Sequence, residues 1–196
     1  MKHINNIPIC SNVLFIYQLD VEENLTLKFK EEKFVSTNSG GSLISKDSNV
    51  LKKYKDLNKK INEAITTTLE KTLMLENINY KIFSSWLTKA KPKTSSDSHM
   101  HSNSWLSGVY YPKGGPGFSI KFFHDNASPF YTPPTEYNIY NSITSTIFPQ
   151  DNYLILFFSQ LRHKIMPNNS TNNRFSLAFN ILPKGQFGEI DSKVIF

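Results

Sequence analysis

"SHMHSNSWLSGVYYPKGG", Ser98 to Gly115, decides how the rest of the chain is read. The chain has five histidines, and two of them, His99 and His101, stand here with one residue between them. They precede "WLSGVYY", whose β-branched and aromatic residues mark a buried strand. On a strand, residues two apart share a face, so this spacing predicts two imidazoles aimed at one point from the mouth of a sheet. Such a pair is often incidental, and its meaning depends on what the fold brings beside it.

The partners come from "DNYLILFFSQLRHKIMPNNSTNNRFSLAFN", Asp151 to Asn180. A strongly apolar strand ends near His163, a Pro/Asn loop follows, and Arg174 opens another strand with Ser176 on the same face. Imidazole nitrogens bind Fe(II), and three ligands on one face leave three positions open for a chelating cosubstrate and O2. A guanidinium forms a paired hydrogen bond with a carboxylate, to which a nearby hydroxyl adds a third donor. His99, His101, His163, Arg174 and Ser176 together point to a metal and a dicarboxylate held in one pocket.

The flanking sequence predicts how such a pocket is supported. "NVLFIYQL" reads as a first strand. From Val50 to about Leu75, Leu51, Tyr54, Leu57, Ile61, Ile65, Leu69 and Leu73 recur at three- and four-residue steps, one long helix with Ser48 as its N-cap. Its apolar stripe is suited to pack across a sheet. Beyond it, "NYKIFSSWL", "WLSGVYY", "FSIKFFH", "NYLILFFS" and "RFSLAFNIL" are short strands split by Pro, Gly, Asn and Ser. That texture predicts a mainly β sandwich or jelly roll rather than a parallel βαβ sheet. "ASPFYTPPTEYN", Ala127 to Asn138, reads as a surface loop near the site.

Bulk composition narrows the function classes. The length of 196 residues suits one domain able to bury a core and a ligand cavity. A charge of +6 would suit nucleic acid, but the lysines are spread out and no basic-aromatic alternation forms a stacking platform. The single cysteine, Cys10, cannot form an internal disulfide, no run approaches a membrane span, and the N-terminus lacks a signal-peptide core. A soluble cytoplasmic protein is the expectation, with no membrane or nucleic-acid partner.

On these residues the chain resembles the Fe(II)/2-oxoglutarate-dependent oxygenase superfamily, on its prolyl-4-hydroxylase-like branch. More narrowly, it resembles a group of 2-oxoglutarate oxygenases from marine bacteria and phages that carry a run like "HxHxNSxLSGVYY". The likeness extends from about Ser36 to Asn180 and is strongest over His99–Tyr111 and Phe157–Asn180. It implies a double-stranded β-helix, or jelly roll, with one long helix on the major sheet. The domain would cover 1–196, with N-terminal support over 1–78 and the core from about 79.

The resemblance also implies roles. His99 matches the first metal ligand and His163 the distal one. Arg174 and Ser176 match the 2-oxoglutarate carboxylate clamp. Tyr111 matches a tyrosine that reaches the cosubstrate, or Tyr110 if the register differs by one. Asn180 matches the closing Asn of the final motif, with no role attached. The middle ligand of the superfamily is a carboxylate, whereas this chain has His101 there. The third corner is therefore His101, a carboxylate such as Asp97 or Asp125, or water or halide.

The implied activity is an Fe(II)-dependent dioxygenase, a hydroxylase using 2-oxoglutarate and O2 on a peptide, protein or small-molecule substrate. A jelly-roll module that binds metal or dicarboxylate without chemistry is the alternative. Trp86 and Trp105 read as core or cavity-wall aromatics, with Trp105 able to line the substrate entrance. His124 reads as a strand-end residue, and Asn103 and Ser104 as the turn into the strand.

Overall fold

A computed structural model describes residues 12–22, 25–37, 40–75, 78–124, 133–138 and 141–195. The N-terminal part contributes β1 (Leu14–Gln18), α1 (Leu25–Lys30), β2 (Phe34–Ser36), β3 (Leu43–Ser45) and α2 (Lys55–Thr67). Then follow β4 (Asn79–Ala90), β5 (Leu106–Tyr111), β6 (Ile120–Phe123), β7 (Thr144–Ile147), β8 (Tyr153–Phe158), β9 (His163–Ile165) and β10 (Arg174–Lys184). A small hairpin of β11 (Gln186–Phe187) and β12 (Val194–Ile195) closes the chain.

Seven strands form one antiparallel sheet in the order β1-β8-β5-β10-β4-β3-β2, and three form a second in the order β7-β6-β9. The jelly-roll expectation holds. Its cause is visible in β5 and β8, where apolar residues occupy both faces and the period of two sorts them into two cores, and in β10, which gives its apolar face to one of them. Leu106, Tyr110, Leu154, Leu156, Leu177 and Phe179 face one way and pack with Leu57, Ile61, Ile65 and Leu69 of the helical layer. Val109, Tyr111, Ile155 and Phe157 face the other way, against Ile120 and Phe122 of the small sheet. Each such side chain stabilises by about 1.5–3 kcal/mol when fully buried.

Gly108 is required at the centre of β5 by space. A Cβ there would overlap the Phe179 ring and a Leu156 methyl.

The predicted single helix over 50–75 is divided into three. A 3-10 turn, Val50–Lys53, precedes α2, and a π turn, Thr68–Thr72, follows it. Tyr54 breaks the first junction at φ −106, ψ 75. Two bonds tie the entry to β4: Leu51 N–H donates to Ser85 Oγ at 3.0 Å, and Ser85 N–H to Ser48 O at 2.8 Å. Ser48 thus contributes its carbonyl to the strand, and no side chain caps the 3-10 turn. At the other end the Thr68 hydroxyl bonds back to Ala64 O at 2.9 Å, a competitor of regular helix bonding. The apolar stripe survives both breaks because Leu51, Leu57, Ile61, Ile65 and Leu69 are all buried.

Candidate metal and anion site

His99 and His101 lie outside the named strands, contrary to the strand-mouth expectation. His99 is instead an isolated bridge partner of His163, each backbone N–H donating to the other's carbonyl at 2.9 Å. His101 N–H donates to Ser159 O, also at 2.9 Å. Backbone pairing across the end of β8 and the start of β9 thus brings the histidines together. Ring centroids lie 4.4 Å apart for His99–His163, 5.1 Å for His101–His163 and 5.4 Å for His99–His101. One nitrogen of each lies within 4.8 Å of the others.

The hydrogen bonds behind the rings identify those nitrogens. His99 Nδ1 is 2.8 Å from Asp97 O, His163 Nδ1 2.9 Å from Leu161 O, and His101 Nδ1 2.6 Å from Asn180 Oδ1. A carbonyl oxygen only accepts, so each Nδ1 carries a proton, and in the neutral ring it is Nε2 that keeps the lone pair. Burial holds the His163 imidazole well below its usual range, at about 3, the Leu161 bond opposing and His99 and His101 reinforcing. Burial also lowers His101, against its bond to Asn180. A metal needs such neutral imidazoles, so this donor set fits a divalent transition ion.

Asp97 supplies its backbone oxygen to His99, and its carboxylate is not part of the cluster. Asp125 lies outside the described residues, as do 127–132 of the Pro-rich loop. His124 sits apart, its Nε2 2.9 Å from Ser145 Oγ.

The histidines open on a cavity of about 180 Å³ lined also by Ile44, Trp86, Val109, Phe157, Ile165 and Ser176. Trp86 stands 5.8 Å from His101, centroid to centroid. Trp105 packs with the helical layer instead, so the wall aromatic is Trp86. Asn103 makes the turn into β5 with φ +58. Ser104, read as part of that turn, also bonds Ser159 behind the site, Oγ to Oγ at 2.8 Å.

Arg174 and Ser176 occupy the inward face of β10, alternating with Phe175 and Leu177 of the helix-side core. Arg174 is 3% exposed, yet Nε and Nη1 have no hydrogen-bond partner among the described residues, and neither does the Tyr111 hydroxyl. Leaving buried donors unpaired costs about 1–3 kcal/mol each, more for a charged group, so this is a place prepared for an acceptor. Burial lowers the Arg174 pKa while Tyr111 opposes that, and it pushes the Tyr111 phenol up to about 12 while Arg174 opposes that. The guanidinium carbon also lies 5.7 Å from the Phe118 ring centroid. The pleat sends Tyr110 to the opposite face, where its hydroxyl donates to Asn152 Oδ1 at 2.6 Å. Of the two tyrosines, Tyr111 alone is on the Arg174 side.

A jelly roll that gathers three imidazoles and leaves two guanidinium nitrogens of Arg174 unpartnered among the described residues offers groups able to hold a metal ion and an anion. Residues 84–180 match the family described as "Putative 2OG-Fe(II) oxygenase". That segment carries the histidines, Tyr111, Arg174, Ser176 and Asn180, so the site lies within the part of the chain that is similar to the 2OG-Fe(II) oxygenases. Among curated proteins none matches the chain in sequence.

Solved structures share the fold. A prolyl-4-hydroxylase from Pseudomonas putida is 14% identical with a TM-score of 0.58, covering 89% of this chain and 95% of its own. A Trichoplax adhaerens prolyl hydroxylase, in complex with a hypoxia inducible factor peptide fragment, is 12% identical with a TM-score of 0.60, covering 88% and 84%. HygX from Streptomyces hygroscopicus, with nickel, 2-oxoglutarate and hygromycin B bound, is 7% identical with a TM-score of 0.60, covering 87% and 82%.

Asn180 and Ser107 are the polar residues that sequence reading left without a role. Their signal was present: Asn180 shares the inward face of β10 with Arg174 and Ser176. What it touches follows only from the register, which pairs it with Ser107 of β5.

Proposed function

We propose that this chain is an Fe(II)- and 2-oxoglutarate-dependent dioxygenase that hydroxylates a C–H bond. His99, His101 and His163 hold the iron through Nε2, and Arg174, Ser176 and Tyr111 hold the far carboxylate of 2-oxoglutarate. The observation that carries the reading is the presence of two prepared sites in one fold: three gathered imidazoles, and three buried donor atoms without partners among the described residues. When bound together, iron, 2-oxoglutarate and O2 supply the oxidative chemistry, releasing succinate and CO2. The chain's own residues orient and exclude. Arg174 neutralises the distal carboxylate, Tyr111 and Ser176 add neutral donors, and Val109, Phe157 and Ile165 keep bulk water out.

The cavity walls described carry no Asp, Glu, Lys or Arg side chain. The reactive group of the substrate is therefore an uncharged carbon centre passing Trp86. A prolyl residue of a peptide fits, as does a small molecule, in keeping with the peptide and hygromycin B seen in the two solved structures above. Among the described residues no helix is long and apolar enough to cross a membrane, and we place the enzyme in the cytoplasm.

The test is succinate formation from 2-oxoglutarate under air with Fe(II). Activity is expected for the wild type and not for His163→Ala, and its absence from both would overturn the reading. The all-nitrogen triad gives a second reading some ground: a module that binds metal and dicarboxylate without turnover. Tight binding of both, with no succinate under any condition, would establish that module instead.

A further inference from the structure

We infer that the Asn180 carboxamide makes His101 a metal ligand, by accepting the Nδ1 proton so that the free Nε2 lone pair faces the cavity. The inference deepens the iron-site reading and rests on it.

His99 and His163 orient themselves locally. Each Nδ1 donates to the carbonyl two residues earlier in its own segment, Asp97 O and Leu161 O. His101 differs: the carbonyl two residues before it, His99 O, is engaged with the His163 N–H at 2.9 Å. The third ring does not use that local acceptor. His101 takes its acceptor from 79 residues away instead, at 2.6 Å.

The orientation of that amide matters as much as its presence. Turned over, it would present an N–H to Nδ1. The proton would then sit on Nε2, and an Nε2–H cannot bind a metal. Ser107 supports the orientation seen. It faces Asn180 across the β5–β10 ladder, and its hydroxyl donates to Asn180 Oδ1 at 2.9 Å, so that one oxygen serves both the hydroxyl and the His101 ring. Ser107 is fully buried and lies 2.8 Å from Ser159 Oγ, which is 2.8 Å from Ser104 Oγ. Ser107 Oγ also lies 3.0 Å from His101 Nδ1, so its lone pairs lie on the same side of the ring. The backbone contributes too. The register of β10 against β4 shifts between Asn180 and Ile181, a bulge of the kind that re-aims a side chain beside a site.

The experiment uses metal-free protein labelled with 15N-histidine. Long-range 1H–15N spectra read each tautomer, and Co(II) titration by its visible bands reads metal affinity. Wild type is expected to show His101 protonated on Nδ1. Asn180→Leu removes the acceptor at similar size. It is expected to move the His101 proton toward Nε2, leave His99 and His163 unchanged, and weaken Co(II) binding about 10- to 100-fold. Asn180→Asp keeps an acceptor and is expected to restore both readouts.

An N180L protein with wild-type tautomer and affinity would overturn the inference, as would an Nε2–H tautomer of His101 in the wild type. The second result needs no variant to fold. Wild-type protein that binds no Co(II) would instead sink the iron-site reading, which separates the two failures.

Discussion

His99 and His163, far apart in sequence, are hydrogen-bonded to each other twice, each backbone N–H reaching the other's carbonyl at 2.9 Å. This reciprocal pair is the hinge of the site. It fixes two imidazoles with centroids 4.4 Å apart through backbone pairing, so the fold itself orders them for an ion.

A preformed site that exists only in the folded chain converts metal affinity into stability. Fe(II) under anaerobic conditions, or Co(II), is expected to raise the unfolding free energy by about 2.7 kcal/mol at a hundredfold excess over Kd. His163→Ala should lose that increment. Equal metal-induced shifts in both proteins would show that the ion binds elsewhere.

The donors of Arg174 and Tyr111 are unpartnered among the described residues, whereas the Tyr110 hydroxyl is satisfied. Tyr111→Phe is therefore expected to leave stability unchanged or higher while weakening 2-oxoglutarate binding about tenfold, near the 1.5 kcal/mol of one bond to a charged group. Arg174→Met should weaken it by a further one to two orders of magnitude, with Co(II) affinity retained. Tyr110→Phe should do the reverse, losing about 1 kcal/mol of stability with normal cosubstrate binding. Calorimetry on the three variants checks all of this, and normal 2-oxoglutarate binding by Arg174→Met would remove the anion clamp from the account.

Acid should destabilise the metal-free protein through its buried histidines. The folded pKa of His163 is depressed to about 3, so between the unfolded value near 6.5 and that point only the unfolded chain binds the proton. The contribution is complete above the unfolded value and is lost as pH falls, by up to about 1.4 kcal/mol per pH unit for one such group. His101 acts in the same direction. Denaturant titrations between about pH 7 and pH 5 should show a smaller loss for His163→Gln than for wild type. Parallel slopes for the two proteins would refute the assignment.

Gly108 offers a test of the core independent of chemistry. A methyl there would meet Phe179 and Leu156 inside the helix-side core, so Gly108→Ala is expected to cost about 1–3 kcal/mol by overpacking. A neutral result would mean that Phe179 has room to turn aside.

Much of this was legible beforehand because it depends on local pattern. Alternation in "YLILFF" and "LSGVYY", and the leucine and isoleucine stripe from Leu51 to Leu69, are periodicities of the backbone itself. They predicted the strands and the helical layer, while the division into two cores came from the fold. Other features were not legible. Tyr54 carries an apolar position of the stripe yet breaks the helix, because the two bonds that tie its entry, Leu51 N–H to Ser85 Oγ and Ser85 N–H to Ser48 O, are made with a strand not adjacent in sequence. The choice between Tyr110 and Tyr111 needed the true register of β5, which a one-residue slip reverses.

By itself the sequence determined which residue types were available and which face of each strand would carry them: imidazoles before β5 and at β9, a guanidinium and a hydroxyl on β10. The tertiary structure alone decided who bonds whom. The His99–His163 bridge, the orphaned Arg174 donors and the Asn180 acceptor behind His101 are contacts between segments tens of residues apart. Periodicity fixes direction along a strand, while only the closed sandwich sets distance and polarity between strands, and ligation depends on both.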